Sequence, residues 1–152
     1  GKLTARAKRS RGFNPNRGST SPEVTVVSWN VLCPKNCNTE TFKNTNPKDL
    51  DNDVRFQRVK EKLEAKMESN AVICLQELSL DWSGRLHTFF QKRQYYMTST
   101  NYGHEKDDYM GVGIAFPMRS FELRDCSIRR VSDALPRVQD QSESPFWKSK
   151  AR

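Results

Sequence analysis

Apolar and polar positions divide the chain into alternating strand-like and helix-like segments. The stretch "EVTVVSWN", residues 23–30, places Val24, Val26 and Val27 in a short β-branched run and predicts a buried strand ending on the amide of Asn30. Residues 36–53 are rich in Asn, Thr and Asp and read as a long polar loop, a length that in compact domains often lines a functional site. In "NDVRFQRVKEKLEAKMESN" the residues Val54, Val59, Leu63 and Met67 recur at near-helical spacing among Lys, Arg and Glu. That pattern predicts an amphipathic helix, with Asp51, Asn52 or Asp53 as its N-cap and Ser69 and Asn70 closing it. The run "AVICLQE", residues 71–77, predicts a second buried strand that passes through Gln76 into the carboxylate of Glu77. Trp82, Leu86, Phe89 and Phe90 mark one face of a further helix in "SLDWSGRLHTFFQKR", despite Gly84. Two strands, "QYYMTST" and "GVGIAFP", follow around the polar connection "NYGHEKDDYM". "SFELRDCSIRRV" adds one more, with Phe121, Leu123 and Cys126 as core candidates. The order β, α, β, α, β, β, β predicts a mixed α and β domain in which helices cover a sheet.

Composition limits the size of that core. Of 152 residues only 35% are apolar and 29% are charged, which fits one small domain with a modest interior. The charge is unevenly placed: residues 1–22 hold Lys2, Arg6, Lys8, Arg9, Arg11 and Arg17 and no acid, so six of the net +8 charges lie there. This Pro-, Gly-, Ser- and Asn-rich segment reads as a basic flexible tail, suited to nucleic acid or an acidic protein face. A targeting remnant or solubilising tail is the plainer alternative. Residues 132–152 lose periodicity and gain Ser, Pro and Gln, as a linker or partner-binding extension does. No run approaches the roughly 20 apolar residues of a membrane span. Cys33, Cys37, Cys74 and Cys126 show no paired metal-ligand spacing and are expected to be free thiols of an intracellular, reducing compartment. His87 and His104 read as surface or loop residues.

The candidate chemistry lies at two strand ends. A crossover through one helix commonly brings two such strands side by side, which would bring Asn30 and Glu77 to the same end of the sheet. A carboxylate and an amide oxygen are hard ligands of the kind Mg²⁺ accepts while keeping waters that a phosphate can displace. On pattern alone, a strand-end carboxylate is usually a solvated boundary residue or a helix cap. Trp29 reads as a core residue, Tyr102 and Tyr109 as loop aromatics flanking "GHEKDD", and Asp107 and Asp108 as a solvated turn.

In combination the motifs carry a resemblance. "VVSWNVL", then a helix containing "RFQRVKEKLEA", then "AVICLQEL", and later "DDYMGVGIAFP" with "SFEL", resemble the endonuclease/exonuclease/phosphatase superfamily over residues 24–131, especially its nocturnin-like and deadenylase-like branch. The resemblance implies an α+β fold, half of a four-layer α/β/β/α (DNase I-like) sandwich with a mixed sheet and flanking helices. It also implies hydrolysis of a phosphoester in RNA or a nucleotide with Mg²⁺ or Mn²⁺, Asn30 and Glu77 in the active site and Glu77 as a metal ligand. The family's other catalytic residues are an Asp, a "D-x-N" pair, a further Asp and a terminal His, all from its second half, and nothing after "SFELRDCSIRRV" supplies them. Residues 23–131 are therefore expected to be an N-terminal half, inactive alone and completed by a missing C-terminal half or a second polypeptide. The alternative is a non-catalytic pseudoenzyme subunit of a larger ribonucleoprotein or organellar assembly.

Overall fold

A computed structural model of the chain describes residues 2–7 and 23–129. Strands β1 (Lys2–Ala7), β2 (Val26–Asn30), β3 (Val72–Leu78), β4 (Tyr95–Asn101), β5 (Gly111–Pro117) and β6 (Phe121–Ser127) combine with helices α1 (Pro47–Leu50), α2 (Asn52–Glu68) and α3 (Leu80–Gln91). The main sheet runs β2-β3-β5-β4, with β2 parallel to β3 and the other pairs antiparallel. The fold is thus α+β, with a mixed four-stranded sheet and flanking helices.

Both long helices begin on side-chain caps that the sequence supplies. Asp51 accepts the amides of Asp53 and Val54 at 3.0 and 2.9 Å, and Ser79 accepts the amide of Trp82 at 3.2 Å. Each helix then buries one stripe: Phe56, Val59, Leu63 and Met67 from α2, and Trp82, Leu86, Phe89 and Phe90 from α3. These meet Ile73, Leu75, Leu78, Tyr95, Met97 and Ala115 from one face of the sheet in a single core. Full burial of a Leu, Ile or Phe is worth about 1.5–3 kcal/mol, so this layer holds the helices to the sheet.

The opposite sheet face is more open. Val26 and Val112 are exposed on it, Val72, Cys74 and Ile114 are half-buried, and β6 reaches it where the Phe121 ring meets Phe116 at 6.4 Å. β6 pairs antiparallel with β1 in a separate two-stranded sheet.

Several expectations change. Val24, which precedes the strand, and Val26 are exposed; the strand packs Val27 and Trp29, both partly buried, on its helix side and turns Val26 to the open face. Phe56 replaces Val54 in the buried stripe of α2, since it continues the 56, 59, 63 and 67 spacing that Val54 breaks. A 3₁₀ turn, Pro34–Asn36, leads into the polar loop and the short helix α1 lies within it, each started by a proline at its first position. Cys126 is exposed, with Phe121 and Leu123 half-buried outside the core. Lys2–Ala7, expected within a flexible tail, form β1 instead. The proposed extension at 132–152 lies outside the described residues. No helix among those described is long and apolar enough to cross a membrane.

Candidate active site

Asn30 and Glu77 arrive together because their strands are parallel neighbours. The ladder pairs Trp29 with Leu75 and Asn30 with Gln76, and the amide of Val31 extends it to the Gln76 carbonyl at 3.0 Å. Glu77 comes next, and a regular strand would aim its side chain toward the core, as Ile73 and Leu75 are aimed. The structure avoids this with a β-bulge. Against β5, Gln76 pairs with Val112 and Leu78 with Gly111, leaving Glu77 as the extra residue, at φ 55°. Leu78 takes the core position and is fully buried, while Glu77 is turned outward. Gly111 leaves room for this arrangement: a Cβ there would sit 1.9 Å from the carbonyl oxygen of Thr100.

Four groups order the carboxylate and its surroundings. Asn30 Nδ2 donates to Glu77 Oε1 at 2.8 Å, while the Asn30 Oδ1 accepts the amide of Leu32 at 2.9 Å. Both neighbours dictate the same amide orientation, since a carboxylate only accepts and an N–H only donates. Leu32 adopts φ 59°, a left-handed conformation uncommon for a Leu. The Cys33 amide and Asn36 Nδ2 each donate to Glu77 Oε2 at 3.3 Å. The Asn30 bond, with those from Asn36 and the Cys33 amide, holds the Glu77 carboxyl below the usual carboxylate range, against the opposing effect of partial burial. None of the ion pairs among the described residues involves Glu77. Among the described residues it is a carboxylate held in its ionised form by neutral donors.

The segment between β4 and β5 closes one side. Asn101 Nδ2 donates to the carbonyls of Leu78 and Tyr109 at 3.0 and 2.8 Å, and the Leu80 amide donates to the Asp108 carbonyl at 3.2 Å. Asp108 and Tyr109 are both left-handed, at φ 54° and 47°. Lys35 Nζ donates to the Glu105 carbonyl, and Asn36 Nδ2 also approaches Met110 Sδ at 3.8 Å, so this segment and the Pro34–Asn36 turn brace each other. Tyr102 and Tyr109 are exposed. Cys33 is buried, with its Sγ 3.9 Å from Asp108 Oδ2. Burial pushes its thiol pKa up, and the nearby Asp108 and Glu77 carboxylates add to that. It is therefore a poor source of thiolate.

The two residues singled out in the sequence thus meet, but with different duties. The Asn30 oxygen accepts from the Leu32 amide and the Glu77 oxygens accept from Asn30, Asn36 and the Cys33 amide, so a further ligand would use the lone-pair capacity that these bonds leave, and only Glu77 brings a charge to it. Cys33, Asn36 and the bulge were not foreseen. The bulge had one signal, since Leu75 and Leu78 are both apolar yet three apart in a strand of period two. Trp29 packs against the core beneath Lys62, whose Nζ lies 5.6 Å from the ring centre. His87 and His104 are exposed. Among the described residues no group of three or more His, Cys, Asp or Glu side chains gathers as a metal cage. A single carboxylate fits Mg²⁺ as one ligand in a site otherwise filled by water, substrate and residues from elsewhere. No protein-family model matches the chain and neither does any curated protein, so the chemistry of the site rests on its own geometry.

Proposed function

We propose that this chain carries the metal-binding carboxylate of a Mg²⁺-dependent phosphoester hydrolase of the endonuclease/exonuclease/phosphatase type, acting on RNA or nucleotides. One observation carries the reading: Glu77 sits in a left-handed bulge with its pKa held low, three neutral donors fix it beside Asn30, and among the described residues no cation pairs with it. Backbone strain at a carboxylate without a structural ion pair is the pattern of a residue positioned for a ligand. Mg²⁺ or Mn²⁺ bound there would supply charge stabilisation for the phosphate and a water of lowered pKa. Glu77 would hold the ion. Asn30 uses one amide hydrogen on Glu77 and has a second to offer a phosphate oxygen.

The finer architecture belongs to the same reading. An apolar, half-covered sheet face with Val26, Val112 and Ile114 suits the inner face of a four-layer α/β/β/α sandwich. A second sheet, from a further segment or another polypeptide, would cover that face and bring the remaining catalytic groups.

The test is hydrolysis of a labelled oligoribonucleotide by natively isolated protein, with Mg²⁺ or with EDTA, comparing wild type and Glu77→Gln. An EDTA-sensitive activity lost in the variant supports the enzyme. Equal, EDTA-insensitive background in both removes it and favours a non-catalytic subunit, a reading to which the single carboxylate at this site already lends weight.

A further inference from the structure

We infer that Arg55 is a positioning residue for the Glu77 site, acting through the two peptide planes that follow Val31. The inference takes the site of the proposed function as its object, though its geometry stands apart from any reaction. Arg55 lies in the first turn of α2, and its Nη2 donates to the carbonyls of Val31 at 3.0 Å and Leu32 at 2.6 Å. In a trans peptide the C=O and the following N–H point in opposite directions. The plane joining Val31 to Leu32 therefore presents its carbonyl to Arg55 and its N–H to Asn30 Oδ1. The next plane presents the Leu32 carbonyl to Arg55 and the Cys33 N–H to Glu77 Oε2. Each plane is pinned from behind by the same guanidinium nitrogen and from the front by a site residue. A cation on the carbonyl also polarises the plane and strengthens the N–H as a donor.

The support beneath Arg55 is rigid. Its guanidinium lies 5.2 Å from the ring centre of the buried Trp82, whose Nε1 donates to Asn52 Oδ1 at 2.7 Å. Nη1 is buried and has no hydrogen-bond partner among the described residues, a cost that an apolar side chain on the same shelf would not incur. Attaching α2 does not require Arg55 either, because the helix has its own cap on Asp51 and its own buried stripe. What the guanidinium adds is the pair of carbonyl bonds. They hold Leu32 in its left-handed conformation, which lets consecutive N–H groups face the site.

The experiment uses the full chain as wild type, Arg55→Met, Arg55→Lys and Glu77→Gln. Amide hydrogen exchange is read by NMR at Leu32 and Cys33, with Ile73 and Leu75 as internal references, and Mn²⁺-induced broadening of the same amides reports the carboxylate. Arg55→Met should speed exchange at Leu32 and Cys33 by about tenfold, the scale of one lost hydrogen bond to a charged group. Ile73 and Leu75 should change little, and half-broadening should need several-fold more Mn²⁺. Arg55→Lys should recover much of both effects, since one nitrogen makes both carbonyl bonds. Unchanged exchange at Leu32 and Cys33 in Arg55→Met overturns the inference. So does an equal rise at Ile73 and Leu75, or loss of the fold in that variant, either of which would make Arg55 a general core residue. If Mn²⁺ broadens wild type and Glu77→Gln alike, the metal reading fails, while the exchange data still decide the role of Arg55.

Discussion

Asn30 and Glu77, 47 residues apart in the chain, are joined by a 2.8 Å bond from the amide nitrogen to the carboxylate. Through its oxygen the same Asn30 amide captures the Leu32 amide, so one side chain orders both the ligand and the turn beside it. Replacing Asn30 with Ala should remove both bonds and lower stability by about 1–2 kcal/mol. Asn30→Asp keeps the acceptor for Leu32 but sets a second negative charge against Glu77, and it should raise the Glu77 pKa. Urea unfolding and carboxyl ¹³C shifts against pH measure the two effects.

The lowered Glu77 pKa has a signed consequence for stability. The folded state favours the ionised form, so the contribution is fully present above the usual value of 4.5 and is lost as pH falls through the lower, folded-state value. Glu77→Gln cannot titrate at this position. The stability difference between wild type and Glu77→Gln should therefore be steady near neutrality and shift against wild type in the acid range. Chemical denaturation of both proteins from pH 7 to pH 3 tests this, and a difference independent of pH would contradict it.

Gly111 should tolerate no side chain. Its Cβ would lie 1.9 Å from a backbone oxygen, so Gly111→Ala must displace β4 or undo the bulge. A loss of about 1–3 kcal/mol is expected, at the level of overpacking in a close-packed interior. Gly84 is a useful control, since a Cβ there meets nothing within 4 Å, and Gly84→Ala should stabilise α3 by up to about 1 kcal/mol.

Thiol chemistry should separate the cysteines. Cys33 and Cys74 have raised pKa values, each chiefly from burial, whereas Cys126 is exposed. Under native conditions at neutral pH, iodoacetamide should modify Cys126 well before Cys33, and denaturant should abolish the difference. Equal rates at the two residues would contradict the packing of the turn after β2.

What the sequence made legible was periodic. The α3 stripe at Trp82, Leu86, Phe89 and Phe90, the two strands that carry Asn30 and Glu77, and the meeting of those residues at one end of the sheet follow from spacing and the crossover, although the second strand continues past Glu77 to Leu78. The local exceptions were harder to foresee. The Glu77 bulge depends on β5 pairing from the far side, and the Leu32 conformation depends on Arg55, which reaches it from a different element. Likewise, Val26 has the composition of a buried residue, and only the assembled sheet decides which face the helices cover.

The most direct test of the central claim is a Mn²⁺ titration followed by electron paramagnetic resonance, comparing wild type with Glu77→Gln. Wild type should show a saturable site whose affinity falls by at least about tenfold when the carboxylate becomes an amide, the scale of losing one charged contact. Identical titrations for the two proteins would contradict the claim and would make Glu77 a structural carboxylate of the turn.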